Sequence, residues 1–428
     1  MKKFFLSAAA FAVVAVSAIA VAPNSAEAVP TFARQTGAAC LSCHFNTIPR
    51  LGPMGRNFRM GSFRDMGDAA LLEDDILSLP VQFGASMLWK ARISSGQTKD
   101  GTGTVTNAGG VVATPAGGST AAIQWPDETA LFFGGRMGEH MGTFVEWGFA
   151  PDASTQGDSG VSPLGFKVAY VFDLDSGLIA IAGGTSDALG APSVFNDPSN
   201  AISRNTRGIQ TRARALRATP LHAGATGVGV YGYLNDLVYF AVGGIVDAGG
   251  GTTLNGGVDM NLSPYLRLAA TLDLGGFDTV VGGWYTDLST ANYSQAGGTK
   301  NSGTIYGADI QLQGEVGDLM VGFYMPVVLK AESRAALAAQ TNTTGFNPYV
   351  NIGIGHAGLR IGYDYSKIKN VQAGTVASKR NNYIIGGWYS LAQNIELDLE
   401  FNADKTKNAA GNITSKLNST TLMLEYVF

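Results

Sequence analysis

Thr420-Thr421-Leu422-Met423-Leu424-Glu425-Tyr426-Val427-Phe428 closes the chain. Successive side chains of an extended strand point to opposite faces, so Leu422, Leu424, Tyr426 and Phe428 share one face. The same period of two recurs upstream. Val81, Phe83, Ala85, Met87, Trp89 and Ala91 alternate with Gln82, Ser86, Lys90 and Arg92. Residues 131–136, 144–149, 166–172, 228–233, 310–313, 359–365 and 388–389 repeat the habit. One short alternating segment is a weak sign of a membrane strand; here their number makes the case.

Composition agrees. Charged residues are 14% of the chain and glycine occurs 57 times, whereas a soluble domain carries about 25% charge. No fixed-period repeat is visible, which argues against a β-solenoid, and the low charge argues against a soluble β-sandwich. A net charge of −4 gives no basic footprint for nucleic acid. An aromatic last residue after alternating apolar positions resembles the insertion signal of outer-membrane barrels.

Loop lengths sharpen the architecture, because such barrels have short periplasmic turns and long outer loops. Long polar stretches lie at about 405–415, 368–380, 329–345, 288–302, 248–251, 186–220, 151–164 and 94–120. Short turns lie at 392–394, 356–358, 315–318, 263–264, 234–236, 173–177 and 138–141. The two alternate if 265–287 is one long strand broken at Gly275-Gly276. This predicts an all-β fold over 80–428, a transmembrane antiparallel β-barrel of about 16 strands with both ends in the periplasm. A hairpin within 203–217 would raise the count to eighteen. That stretch carries Arg204, Arg207, Arg212, Arg214 and Arg217, and reads as an outer loop or a constriction folded into the lumen.

Residues 1–28 read as a signal peptide: Lys2 and Lys3, an apolar run from Phe4 to Ala22, then Ala26-Glu27-Ala28 as the small-x-small cleavage site. Between leader and barrel, residues 29–79 hold Cys40-Leu41-Ser42-Cys43-His44. C-x-x-C-H is the haem c attachment pattern, and these are the only two cysteines of the chain. The thiols add across the haem vinyl groups and His44 supplies one axial nitrogen. A thioredoxin-like pair needs a surrounding βαβ pattern that is missing. Zinc needs two further ligands, and none stands nearby. A segment of ~50 residues is too small for a good apolar core of its own; a covalent haem supplies one, and the segment is expected to plug or cap the barrel. Residues 65–79 read as a connecting turn or helix.

Met60 ranks first as the second axial ligand, since it lies between Phe58 and Phe63 and a thioether raises the potential of electron-transfer haems. Met54, Met66, His140 and His356 are the alternatives. His222, at a strand start, reads as a surface or lumen histidine. Arg34 and Arg56, with Arg59, are candidates for the haem propionates, which suit a guanidinium fork, or for pairing with barrel carboxylates. Inward carboxylates such as Glu146 suit a hard cation, or simply a polar lumen. No nucleophile–base constellation is evident.

With these residues in view, the chain resembles the fused monohaem cytochrome–porins of the outer membrane, best known as iron(II) oxidases of iron-oxidising bacteria. The likeness lies in Val29-Pro30-Thr31-Phe32-Ala33-Arg34-Gln35-Thr36-Gly37, the Cys40–His44 motif, Pro49-Arg50-Leu51 and Gly55-Arg56-Asn57-Phe58-Arg59. Met54 stands where the family favours an aromatic, Arg59 where it favours lysine, and Gly61-Ser62-Phe63 departs from the usual Gly-Tyr. The resemblance implies one haem c in the lumen or at its periplasmic mouth. It implies extracellular Fe(II) as donor and a soluble periplasmic cytochrome or other carrier as acceptor. An electron conduit for a different donor or acceptor, or a diffusion porin with a haem-bearing plug, shares the same architecture.

Overall fold

A computed structural model describes residues 31–47, 50–66, 70–73, 78–80, 84–101, 103–107, 110–114, 118–149, 161–185, 191–202, 215–216, 219, 221, 225–247, 262–287, 303–335, 339–371, 376–392 and 394–428. The leader, Pro49, His222 and the five arginines of 203–217 lie outside the described residues.

Sixteen antiparallel strands close into one barrel. They are β1 (Ala85–Gly101), β2 (Ser119–Gly138), β3 (Met141–Phe149), β4 (Val161–Leu174), β5 (Gly177–Thr185), β6 (Ala225–Leu234), β7 (Val238–Asp247) and β8 (Ser263–Asp273). Then follow β9 (Asp278–Asp287), β10 (Thr304–Val316), β11 (Leu319–Ala335), β12 (Ala339–Phe346 and Tyr349–Ile354), β13 (Ala357–Asn370), β14 (Val376–Ala392), β15 (Ile395–Asn408) and β16 (Ile413–Val427). Both parts of β12 pair with β11 and β13 and form one interrupted strand; Pro348, which has no N–H for the ladder, sits in the gap. The last strand closes on the first, with Tyr426 opposite Trp89 and Leu424 opposite Ala91. Phe428 and Met87 exchange backbone hydrogen bonds of 2.6 and 2.9 Å at the seam. The closed sheet leaves no unpaired edge, which a bilayer interior requires.

The period of two becomes an inside and an outside. In β8, Ser263, Tyr265, Arg267 and Ala269 are buried while Pro264, Leu266 and Leu268 are exposed. The outward set is apolar all around the wall, including Ile181, Val242, Leu359, Ile385 and Phe401. The buried set is polar: Gln311, Asn351, Asp364, Asn382 and Glu400 are fully buried in the lumen lining.

The strand count agrees with the sequence reading, but one turn moves. Residues 265–287 form two strands, β8 and β9. Gly275 and Gly276 (φ +68° and +85°) make the tight turn between them, where Asp273 Oδ1 accepts the Gly276 N–H at 2.8 Å. Residues 263–264, expected as a turn, begin β8. Left-handed backbone is open to glycine at little cost, so this pair is the turn rather than a kink in one strand. The ladders also run further into the outer loops than expected. Strands β15 and β16 leave only 409–412 between them, and within 94–120 β1 reaches Gly101 while Gly103–Asn107 pairs with Gly110–Thr114. In the stretch read as a connecting turn or helix, Leu71–Glu73 pairs antiparallel with Ser78–Pro80.

Among the described residues, two elements pack against the inner face of the barrel. The first is residues 31–66, with three short helices: α1 (Thr31–Thr36), α2 (Cys40–Cys43) and α3 (Pro53–Met60). The second is residues 191–202, opening with α4 (Ala191–Val194), which folds inward between β5 and β6; every residue of 191–202 is buried. Phe195 stacks on Tyr265 with centroids 5.3 Å apart, and Tyr239 donates to the Phe195 carbonyl at 2.6 Å. Arg267, fully buried, holds the same segment: Nε lies 2.8 Å from Asp197 Oδ2 and Nη1 2.5 Å from Asp309 Oδ1. Ser199 Oγ donates to Asp309 Oδ2 at 2.7 Å, and its N–H to Asp197 Oδ1 at 2.8 Å.

Candidate functional site: the Cys40–His44 segment and its cavity

Helix α2 is a single turn whose two ends are the two thiols. The His44 N–H caps it on the Cys40 carbonyl at 3.0 Å. Burial raises both thiols above the ordinary cysteine value. After His44 the chain doubles back: His44 bridges Leu51, Phe45 N–H bonds the Arg50 carbonyl at 2.9 Å, and Gly52 N–H bonds the Cys43 carbonyl at 2.8 Å. The turn brings the Arg50 carbonyl 3.2 Å from His44 Nδ1. A carbonyl only accepts, so Nδ1 carries the proton and the metal-binding lone pair belongs to Nε2. Metal-ligating histidines are oriented by such a bond.

The Arg50 side chain runs the other way, into the barrel wall. It is 2% exposed, and its guanidinium lies over the Trp388 ring at 5.9 Å, as does that of Arg360 at 5.5 Å. Burial, then the Arg360 charge, pulls the Arg50 guanidinium down to about 10. Asn46 Nδ2 donates to the Met320 carbonyl at 3.3 Å and Thr47 Oγ1 donates to Glu396, so the loop after His44 is fastened to β11 and β15.

Beside Cys43 lies a cavity of about 550 Å³, lined by Thr36, Cys43, Met54, Asn57, Phe58, Gly61, Arg64, Asp65 and Arg136. The size falls in the range of roughly 300–1,000 Å³ common for cofactor sites. Its wall combines a thiol, an aromatic ring, a thioether and two guanidinium groups. That wall offers Cys43 for attachment, apolar faces for a macrocycle, and two cations beside the Asp65 carboxylate. Among the described residues, no three His, Cys, Asp or Glu side chains gather as a metal site of their own.

Of the site residues read from the sequence, Cys43 and Met54 line this cavity, whereas Cys40, His44, Met60, Arg34 and Arg56 do not. Met60 is 2% exposed and packs in the cluster that includes Tyr231, Tyr239 and Tyr265; Tyr231 Oη donates to its carbonyl at 2.7 Å. It borders a different cavity, of about 400 Å³, with Pro53, Arg56, Tyr233, Asp236, Asp273 and Asp278. Arg56 pairs with Asp278 of β9, Arg34 donates to the Ala85 carbonyl at the start of β1, and Arg59 donates to the Asp197 carbonyl. All three arginines anchor the segment to the lumen. Arg64 reaches the rim, with Nη2 2.8 Å from Asp173 Oδ1 and Nη1 3.0 Å from the Glu139 carbonyl. Phe63 is stacked on Phe32 at 4.8 Å and contacts Phe144 at 5.8 Å, so it ties the segment to β3, while Phe58 faces the cavity. His140 and His356 sit in turns away from the cavity lining; His140 Nδ1 is 3.6 Å from Asp173. Glu146 is buried in the wall of β3. Sequence reading missed Arg136. It belongs to β2, remote from the motif in sequence, and only barrel closure brings it to Cys43.

No protein-family profile and no curated protein matches the chain. Solved structures do. The outer-membrane channel DcaP of Acinetobacter baumannii is similar with a TM-score of 0.52 at 14% identity, over 81% of this chain and 97% of that one. OmpF of Salmonella typhi is similar with a TM-score of 0.49 at 10% identity, over 84% and 100%. OprB of Pseudomonas putida gives 0.49 at 10% identity, over 80% and 94%. At such identities the likeness to DcaP carries the fold alone: the chain has the closed antiparallel β-barrel fold of that outer-membrane channel.

Proposed function

We propose that the chain is an outer-membrane electron-transfer protein, which oxidises extracellular Fe(II) through one covalent haem c and passes the electron to a soluble periplasmic carrier. One observation carries the reading: a C-x-x-C-H turn whose histidine Nδ1 is tied to a carbonyl, set inside a barrel lumen. When bound, the haem supplies a one-electron iron couple. Cys40 and Cys43 would hold it by thioether bonds, and His44 would offer Nε2. Arg64, which also pairs with Asp173, and Arg136 line the cavity and would supply cations for its propionates.

The anchors of residues 31–66 cluster at the barrel end with the short turns: Glu139, Gly142, Asp173, Asp278, Met320 and Glu396. Short turns are the periplasmic end of such barrels, so the Cys43 cavity opens toward a periplasmic carrier. The apolar band of such a barrel is about 25 Å tall, more than one haem covers, so the donor enters from the long-loop side toward the segment. Each Fe(II) gives one electron and leaves as Fe(III) on the outer side, away from the periplasm. Residues 31–66 and 191–202 interlock across the lumen, through Asn200 Nδ2 to the Leu51 carbonyl at 2.8 Å and Leu51 N–H to Asn200 Oδ1 at 3.1 Å. A diffusion porin, the second reading from the barrel type, would need a route past this contact.

Stopped-flow mixing of the purified, oxidised protein with Fe(II) at neutral pH tests the assignment. Reduction of the haem spectrum is expected. Haem that stays oxidised under excess Fe(II), or a mature chain whose mass lacks one haem, would overturn it. Rapid swelling of proteoliposomes in sugar would favour the porin instead.

A further inference from the structure

We infer that Met54, rather than Met60, is the residue that completes the coordination of the haem iron; this rests on the haem reading above. Met54 and Met60 are six residues apart on α3, about one and two-thirds turns, and so occupy different faces. The face carrying Met54, Asn57, Phe58 and Gly61 lines the cavity with Cys43. The face carrying Arg56, Arg59 and Met60 is buried against the barrel wall and residues 191–202. Withdrawing the Met60 side chain would leave a hole in the buried cluster that includes Tyr231, Tyr239 and Tyr265, beside a backbone that Tyr231 Oη holds at the Met60 carbonyl.

Met54 has no such commitment. It is 47% exposed on the first turn of α3, one of the exposed large apolar side chains of the molecule. Its neighbourhood is fixed all the same. Gly52 N–H bonds the Cys43 carbonyl at 2.8 Å, and a Cβ at Gly55 would strike that same carbonyl, so the first turn of α3 lies directly on the C-x-x-C-H turn. Pro53 at the first helical position presets that turn. A flexible thioether is thereby held at the mouth of a cavity that a thiol also lines, with three rotatable bonds to reach the metal. Met66, the third candidate, is 6% exposed and lies off the cavity wall.

Absorption and near-infrared magnetic circular dichroism of the oxidised holoprotein read the ligand directly. Wild type is expected to show the thioether-to-iron charge-transfer band. Met54→Ala abolishes it and lowers the midpoint potential, since thioether ligation raises the potential. Met60→Ala and Met66→Ala keep the band, with any loss confined to thermal stability. Met54→His gives a bis-imidazole low-spin spectrum, which shows that position 54 reaches iron even where the alanine variant is unstable. A band surviving in Met54→Ala, a band lost only in Met60→Ala, or a wild-type holoprotein without the band would each overturn the inference while leaving haem attachment standing. A chain that carries no haem at all would instead defeat the functional reading beneath it.

Discussion

Arg267→Met is expected to cost about 3–5 kcal/mol of barrel stability, the range for breaking a buried charge pair from one side. The guanidinium is fully buried and bridges Asp197 on the inward segment to Asp309 on β10. A methionine of similar bulk leaves two carboxylates facing each other with only Ser199 and backbone to satisfy them. The effect also spreads. Asp197 is the point where Arg59 fastens the N-terminal segment, so the substitution loosens both elements in the lumen. Heat-induced loss of the compact band on cold SDS gels should fall in midpoint, and ion conductance in planar bilayers should rise. Arg380 is the control. It pairs with Asp364 and Asp404 but keeps 17% of its side chain exposed, so Arg380→Met should move the midpoint far less. Equal midpoints for wild type and Arg267→Met would contradict the role given to this cluster.

Gly142→Val is expected to eject the N-terminal segment while leaving the barrel standing. A Cβ at Gly142 would fall inside the van der Waals envelope of the Ser62 carbonyl oxygen, and Ser62 Oγ donates to the Gly142 carbonyl at 3.2 Å. The chain turns there in left-handed backbone at both Ser62 and Phe63 (φ +59° and +60°), conformations that non-glycine residues adopt only under surrounding constraint. The wall supplies that constraint, so the turn has little freedom to retreat. Overpacking of this kind costs about 1–3 kcal/mol, and more where backbone is struck. Valine is a good strand residue, so β3 itself should hold. The expected result is an intact heat-modifiable barrel with faster solute flux and new protease cleavage between residues 37 and 66. Unchanged flux and protection would show that the segment is not seated against β3.

Much of the barrel was legible because a two-residue period, long and short connections and low charge all report on one boundary, lipid against lumen. Where the reading slipped, the local signal was ambiguous. Gly275-Gly276 is compatible with a kinked strand or a tight turn, and only the register of β8 against β9 decides. Extended ladders in 94–120 and 405–415 looked like loops because strands above the lipid no longer need an apolar face. Within the candidate site, the Cys40–His44 motif is visible in sequence because attachment chemistry demands fixed spacing. The surrounding wall is not. Met54 and Met60 both follow the motif on one short helix and differ in helix phase relative to a barrel wall that the local sequence does not show. Arg34 and Arg56 read either as propionate partners or as partners of barrel carboxylates, and in the fold Arg34 bonds the Ala85 carbonyl and Arg56 pairs with Asp278. Arg136 shows the reverse, a cavity residue with no local signal at all.

The contacts of residues 31–66 have a mechanical consequence. They radiate to Ser86, Gly142, Asp173, Tyr231, Asp278, Gln313, Met320 and Glu396, which lie on strands spread around the whole ring. An empty cylinder flattens easily under lateral pressure, because its hoop deforms by small changes at every ladder. Spokes fixed to one hub turn that soft mode into simultaneous stretching and compression of polar bonds. The barrel is therefore braced at its short-turn end against becoming oval, and the geometry around Cys43 is insulated from strain in the surrounding bilayer.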